Sequence, residues 1–109
     1  MKTRKRKHNN VGKDGYKKYL RTIDAHKVIL EERYKVKQIG IFGSYVRGEE
    51  GRRSDVDILV DFREIPDLLE FISLELYLEK ILKKKVDLVD KQGIRRELRR
   101  RILGEVVYV

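Results

Sequence analysis

The chain has 109 residues, a formal net charge of +9, 41% charged residues and no cysteine. This length suits one domain with a modest core and leaves no room for a separate substrate domain beside a catalytic one. The absence of cysteine excludes disulfides and thiolate zinc sites, and no apolar run approaches the roughly 18 residues that a membrane span needs. We therefore expect a cytoplasmic protein, not associated with a membrane, that depends on a partner for functions beyond one small site.

The positive charge is concentrated in the N-terminal part of the chain. Residues 1–40 carry 13 Lys and Arg against 4 Asp and Glu, whereas residues 41–109 carry 14 against 14. Residues 1–15 lack apolar periodicity and contain two glycines and two adjacent asparagines, which predicts a basic, disordered tail before a folded domain at residues 16–109. Because clustered cations gain affinity by releasing counterions from a phosphate backbone, a contact between this tail and RNA stays open.

The first half of the predicted domain contains a helix, a strand and a tight turn. Apolar residues recur at helical spacing over residues 16–33, which predicts an amphipathic helix. Residues 36–42 are rich in β-branched and aromatic side chains and are followed by Gly43, which predicts a buried strand that enters a turn. A short helix is predicted over residues 45–48, and the polar residues 49–54 are predicted to form a loop.

The second half alternates strands and helices. Residues 55–62 and 86–89 are predicted strands, residues 66–82 and 93–103 are predicted helices, and residues 105–109 form an apolar tail that we expect to pack or pair. The helix at residues 66–82 is apolar over more than one narrow stripe, so either both its sides are buried or one side meets another protein. The predicted class is α/β (α+β), with a mixed sheet of about three to four strands flanked by helices.

Three aspartates on two of these strands are the candidate catalytic residues. Asp55 and Asp57 occupy alternate positions and therefore point to the same face, and Asp87 lies between apolar residues on the later strand. Like charges within a few ångströms raise one another's pKa unless cations neutralise them, and oxygen ligands favour Mg²⁺. Asp61 shares the face, but it lies about 13 Å from Asp57 along the strand and is too distant to join the same ions.

The turn after the first strand is a candidate phosphate-binding element. A glycine at such a junction lets the backbone approach a phosphate closely, and the amides and hydroxyl that follow can donate to its oxygens. Gly43 and Ser44 supply these groups.

These residues form one motif: Gly43 and Ser44, ten residues, and then Asp55, Val56 and Asp57. With it, the chain closely resembles the polymerase-β-like nucleotidyltransferases, in particular the minimal nucleotidyltransferases. The resemblance continues through Lys85-Val86-Asp87-Leu88-Val89 to the C-terminus and covers roughly residues 17–109. Val46 departs from the family's pattern, in which a smaller residue is frequent, and residues 1–15 have no assigned counterpart.

The resemblance implies a small polymerase-β-like fold and transfer of a nucleoside monophosphate from an NTP to a hydroxyl. Asp55, Asp57 and Asp87 would be the catalytic residues and the ligands of two Mg²⁺ ions, while Gly43, Ser44 and Arg47 would bind the nucleotide. By the same analogy, the enzyme would be the antitoxin of a type VII toxin–antitoxin system. It would transfer AMP from ATP to a tyrosine of a HEPN ribonuclease toxin.

Two other functions stay open from the sequence. One is nucleotidyl transfer to RNA ends or to a small molecule such as an aminoglycoside. The other is a non-catalytic antitoxin that neutralises its partner by binding alone. The sequence also leaves a homodimer open.

Overall fold

The computed structural model describes the backbone of residues 3–109 and the side chains of residues 14–109. The helices are α1 (Thr3–Ala25), α2 (Lys27–Tyr34), α3 (Ser44–Arg47), α4 (Leu68–Leu82) and α5 (Arg96–Glu105), and a single 3₁₀ turn spans Lys91–Gly93. The strands are β1 (Val36–Phe42), β2 (Val56–Phe62), β3 (Val86–Asp90) and β4 (Val107–Tyr108).

The four strands form one mixed sheet in the order β3-β2-β1-β4. β1 pairs antiparallel with β2 and with β4, whereas β2 and β3 are parallel. The mixed α/β class predicted from the sequence is therefore confirmed. The expected pairing of the apolar C-terminus is also confirmed, because Val107 and Tyr108 are the register partners of Ile41 and Gly40.

Alternation along β2 separates the two faces of the sheet. Val56, Ile58 and Val60 are fully buried in the main core, which α1, α2 and α4 cover. Leu59 points to the opposite face, where it packs with Phe42 and with Ile102 of α5 in a smaller apolar cluster. Since side chains alternate along a strand, Asp57 belongs to the α5 face and lies outside the main core.

The prediction of one continuous helix over residues 16–33 is wrong in two respects: the helix begins earlier, and it is interrupted. The backbone is already helical from Thr3, and the apolar periodicity appears only where α1 contacts the core. The helix breaks at His26, where the ring Nδ1 lies 2.8 Å from the carbonyl oxygen of Thr22 and the backbone amide donates to Ile23 instead. The ring thus takes the carbonyl that the next helical amide would have used.

The predicted division into a tail at residues 1–15 and a domain at residues 16–109 stays a prediction. Residues 1 and 2 lie outside the described backbone, and the side chains before Asp14 lie outside the described side chains. Within the described part of the chain, no helix is both long enough and apolar enough to cross a membrane.

α4 buries one side and exposes the other. Leu74 and Leu78 are fully buried, whereas Leu68 and Leu69 are 71% and 77% exposed. The N-terminus of α4 is fixed by a capping box in which Asp67 and Glu70 each accept the other's backbone amide. Of the two alternatives drawn from its apolar pattern, burial of both sides is therefore wrong.

Candidate active site

Strand register brings two of the three predicted catalytic aspartates together. Asp57 of β2 and Asp87 of β3 are direct register partners on adjacent parallel strands. Their side chains therefore leave the same face of the sheet at the same level. Asp55 immediately precedes β2 and follows the same alternation, so all three carboxylates lie at one end of the sheet on the α5 face.

The pKa of Asp57 reflects its burial and the nearby carboxylates. Burial, and then the negative charges of Asp87 and Asp55, raise the pKa of Asp57 to about 6, against an opposing effect of Arg47. Asp55 and Asp87 are exposed, whereas Asp57 is half-buried. Asp57 is therefore the member of the cluster whose charge is the least favourable in the folded chain.

Gly43 lies directly against the Asp57 carboxylate. Its φ of +80° is a conformation that side-chain-bearing residues rarely adopt, and a Cβ at this position would lie 2.0 Å from Asp57 Oδ2. The register explains this closeness, since Phe42 is the β1 partner of Asp57 and Gly43 follows it. The tight turn predicted at Gly43 therefore places its backbone beside the acidic cluster.

Arg47 and the Gly43 amide share one carboxylate, that of Glu105 at the end of α5. Arg47 Nη1 lies 3.0 Å from both oxygens of Glu105, and the Gly43 amide donates to Glu105 Oε2 at 2.8 Å. Arg47 Nε also donates to Glu49 at 2.9 Å. These bonds with Glu49 and Glu105 raise the pKa of Arg47.

Comparison with known proteins places this geometry in a family. A sequence model of the nucleotidyltransferase domain family matches residues 23–109, which include the turn at Gly43, all three aspartates and Glu105. The chain belongs to the nucleotidyltransferase domain family. It is therefore an enzyme of the nucleotidyltransferase class, and its relatives include minimal nucleotidyltransferases.

One named protein and two solved structures illustrate what this chain is similar to. The chain is 58% identical over 87 residues to the protein adenylyltransferase MntA of Thermococcus cleftensis, a match that covers 80% of this chain and 88% of the relative. A solved structure of a toxin–antitoxin with AMP-PNP is 28% identical, with a TM-score of 0.66 and coverage of 80% and 70%. A complex of the tri-AMPylated HEPN toxin of Shewanella oneidensis with its MNT antitoxin gives 27% identity, a TM-score of 0.56 and coverage of 79% and 68%.

The resemblance to polymerase-β-like nucleotidyltransferases implies a Mg²⁺ site, and the types of donor atom here fit that ion. All three candidate ligands are carboxylates. Burial and then the charges of Asp87 and Asp55 raise the pKa of Asp57, and a divalent cation would oppose this rise. Among the described residues, no three His, Cys, Asp or Glu side chains are arranged to hold an ion.

Two residues clarify the limits of the site. Asp61 lies further along the same face, where Gln92 Nε2 donates to its carboxylate at 3.2 Å, so it is separate from the cluster, as predicted.

Glu105 was missed by the sequence analysis, which treated residues 105–109 only as an apolar tail. A single carboxylate in that apolar segment was the one available signal.

A cavity elsewhere on the molecule does not compete with this site. It has a volume of about 230 Å³ and is lined by residues that include Tyr34, Lys35 and Glu64, near the start of β1 and the end of β2. The aspartate cluster lies at the opposite end of these strands. Its two carboxylates, Glu64 and Glu70, lie beside the cations Arg33 and Lys35, and Lys35 pairs with Glu64 at 3.0 Å. We therefore assign the chemistry to the aspartate cluster.

Proposed function

We propose that the protein transfers AMP from ATP to a tyrosine hydroxyl of a HEPN ribonuclease toxin and thereby acts as the antitoxin of a type VII toxin–antitoxin system. The single observation that carries the catalytic part is the pairing of Asp57 with Asp87 beside the turn at Gly43. The named relatives support the part concerning the partner, since one is a protein adenylyltransferase and another is an MNT antitoxin in complex with an AMPylated HEPN toxin.

In the proposed reaction, the acceptor oxygen forms a bond to the α-phosphorus of ATP, and the bond from that phosphorus to the bridging oxygen of the β-phosphate breaks. Pyrophosphate leaves with the bonding electrons, and the proton of the acceptor hydroxyl passes to the carboxylate of Asp87. Bound Mg²⁺ would supply positive charge to the phosphates and lower the pKa of the acceptor hydroxyl. Asp55, Asp57 and Asp87 are the residues that would hold two such ions.

The turn after β1 orients the leaving group in this proposal. The backbone of Gly43, the amide and hydroxyl of Ser44, and the guanidinium of Arg47 would hold the β- and γ-phosphates so that pyrophosphate departs in line. Gly43 is close enough to Asp57 for one nucleotide to contact both, since a Cβ on Gly43 would touch the Asp57 carboxylate. The solved toxin–antitoxin with AMP-PNP supports a nucleotide as the substrate of this fold.

The experiment is intact-mass spectrometry of a HEPN partner after incubation with the protein, ATP and MgCl₂. We expect the partner to gain AMP units with the wild type, and to gain none with Asp57→Asn or when EDTA replaces MgCl₂. Asp61→Asn is the matched control, because Asp61 lies on the same face of the same strand and outside the cluster. Transfer by Asp57→Asn at the wild-type rate would contradict the proposal.

A further inference from the structure

The carboxylate of Glu105 already binds the groups that the proposed function assigns to the triphosphate. It accepts from the Gly43 amide at 2.8 Å, and both its oxygens lie 3.0 Å from Arg47 Nη1. A phosphate oxygen needs the same donors, namely a backbone amide and a guanidinium. The carboxylate of Glu105 and a nucleotide phosphate therefore compete for the same hydrogen bonds.

The charges around Arg47 make this competition unfavourable for the nucleotide. Arg47 carries one positive charge and contacts two carboxylates, those of Glu49 and Glu105. The Glu105 side chain is only 15% exposed, whereas that of Glu49 is 64% exposed, so solvent screens Glu105 less. A phosphate that approaches Arg47 meets excess negative charge for as long as Glu105 stays in place.

We propose that Glu105 occupies the triphosphate-binding groups of the turn and must leave them before ATP binds, so that this residue sets the nucleotide affinity of the site. The inference rests on the proposed function in one respect, that the nucleotide uses Gly43 and Arg47. Glu105 is the last residue of α5, with exposed Gly104 before it, so its side chain can turn away without loss of the α5 contacts of Ile102. The apparent affinity is reduced by the fraction of molecules in which Glu105 is bound to the turn.

Nucleotide titration of Glu105→Gln tests this inference. The amide keeps the size of the side chain and removes its negative charge. In MgCl₂ we therefore expect ATP to bind to Glu105→Gln about three- to tenfold more tightly than to the wild type. Glu97→Gln is the matched control, since it makes the same change of charge on the same helix, at an exposed side chain that pairs with Arg95. This control variant is expected to bind ATP as the wild type does.

The outcomes separate competition from a purely structural role. If Glu105 only supports the turn, Glu105→Gln binds ATP more weakly than the wild type, and the inference is overturned. Equal affinities for all three proteins, or no binding by any of them, overturn it as well. Failure of AMP transfer by a wild type that binds ATP, together with tighter binding by Glu105→Gln, would overturn the proposed function and leave the role of Glu105 standing.

A second measurement needs only the wild-type protein. In ¹⁵N-resolved NMR spectra, the amide of Gly43 is expected to shift on addition of ATP, because its acceptor changes from a carboxylate to a phosphate. The side-chain carboxyl carbon of Glu105 is expected to shift in the same titration, with the same midpoint. ATP binding that leaves the Glu105 signal in place would overturn the inference, even if Glu105→Gln does not fold.

Discussion

At the scale of single residues, Asp57 is where burial and like charge act together. Burial, and then the charges of Asp87 and Asp55, raise its pKa to about 6. The ordinary pKa of an aspartate is about 3.9, so the folded chain binds this proton more tightly than the unfolded chain does. The ionised form of Asp57 therefore costs folding free energy that binding of a cation can recover.

Asp57→Asn is expected to stabilise the protein at pH 7 in the presence of EDTA. Between about pH 4 and pH 6 the folded wild type holds more protons than the unfolded chain, so its free energy of unfolding falls as the pH rises through this window. After allowance for solvent screening of a half-buried group, the advantage of the variant at pH 7 is about 1–2 kcal/mol. Urea unfolding at pH 7 and pH 4 measures it, and an advantage equally large at pH 4 would contradict this explanation.

Addition of MgCl₂ is expected to stabilise the wild type more than Asp57→Asn. An ion that binds only the folded chain raises its stability, and the variant has lost one of the three carboxylates that we propose as its ligands. Melting temperatures with increasing MgCl₂ provide the measurement, with NaCl at equal ionic strength as the control. Equal shifts in the two proteins would show that the ion binds elsewhere.

Gly43→Ala is expected to destabilise the protein by at least about 2 kcal/mol, since a left-handed φ and a collision act at the same position. The new Cβ would lie 2.0 Å from Asp57 Oδ2, and the φ of +80° would be retained only with strain. Gly104→Ala is the matched control. Nothing lies within 4 Å of a Cβ there, and alanine in a helix is favoured over glycine by up to about 1 kcal/mol. Equal denaturation midpoints for the two variants would refute this account of the turn.

At the scale of elements, α4 shows how one helix serves the core on one side only. Its buried leucines face the sheet, and Leu68, Leu69 and Leu76 are exposed on the other side. Since removal of a buried side chain leaves a cavity, the two sides of α4 are expected to respond differently to the same substitution.

Leu78→Ala is expected to lower the free energy of unfolding by about 2–5 kcal/mol, and Leu69→Ala by no more than about 0.5 kcal/mol. Leu78 is fully buried and Leu69 is 77% exposed, so the pair compares burial at a constant change of side chain. Guanidinium chloride unfolding of both variants provides the measurement. A large loss with Leu69→Ala would mean that this side is covered by a second copy of the chain.

Local patterns in the sequence predicted the elements that carry the acids. Alternation predicted β2 and β3, the strands that carry Asp57 and Asp87. Contacts between distant residues left no such pattern. The bond from Gly43 to Glu105 spans 62 residues, and the break at His26 depends on one ring that takes the Thr22 carbonyl. Neither is encoded in a period or a local propensity.

At the scale of the whole molecule, a small sheet places its acids on an open surface where a partner can present a hydroxyl. Within the described residues, α1, α2 and α4 cover one face of β2 and β3, and α5 packs on the other face. Under the proposed function the acceptor comes from another molecule, and the solved complex of an AMPylated HEPN toxin with an MNT antitoxin supports this proposal. Catalysis and simple binding would both silence such a partner, so they are distinguished only by the bond that breaks in ATP.

The most direct measurement is the ribonuclease activity of the HEPN partner after incubation with the protein and either ATP or its α,β-methylene analogue, in MgCl₂. In the analogue the bridge between the α- and β-phosphates does not break, so AMP transfer is blocked while nucleotide binding is retained. We predict that the partner is silenced with ATP, stays silenced after the two proteins are separated, and recovers its activity after separation when the analogue was used. Equal and fully reversible silencing with both nucleotides would contradict the account and show that the antitoxin acts by contact alone.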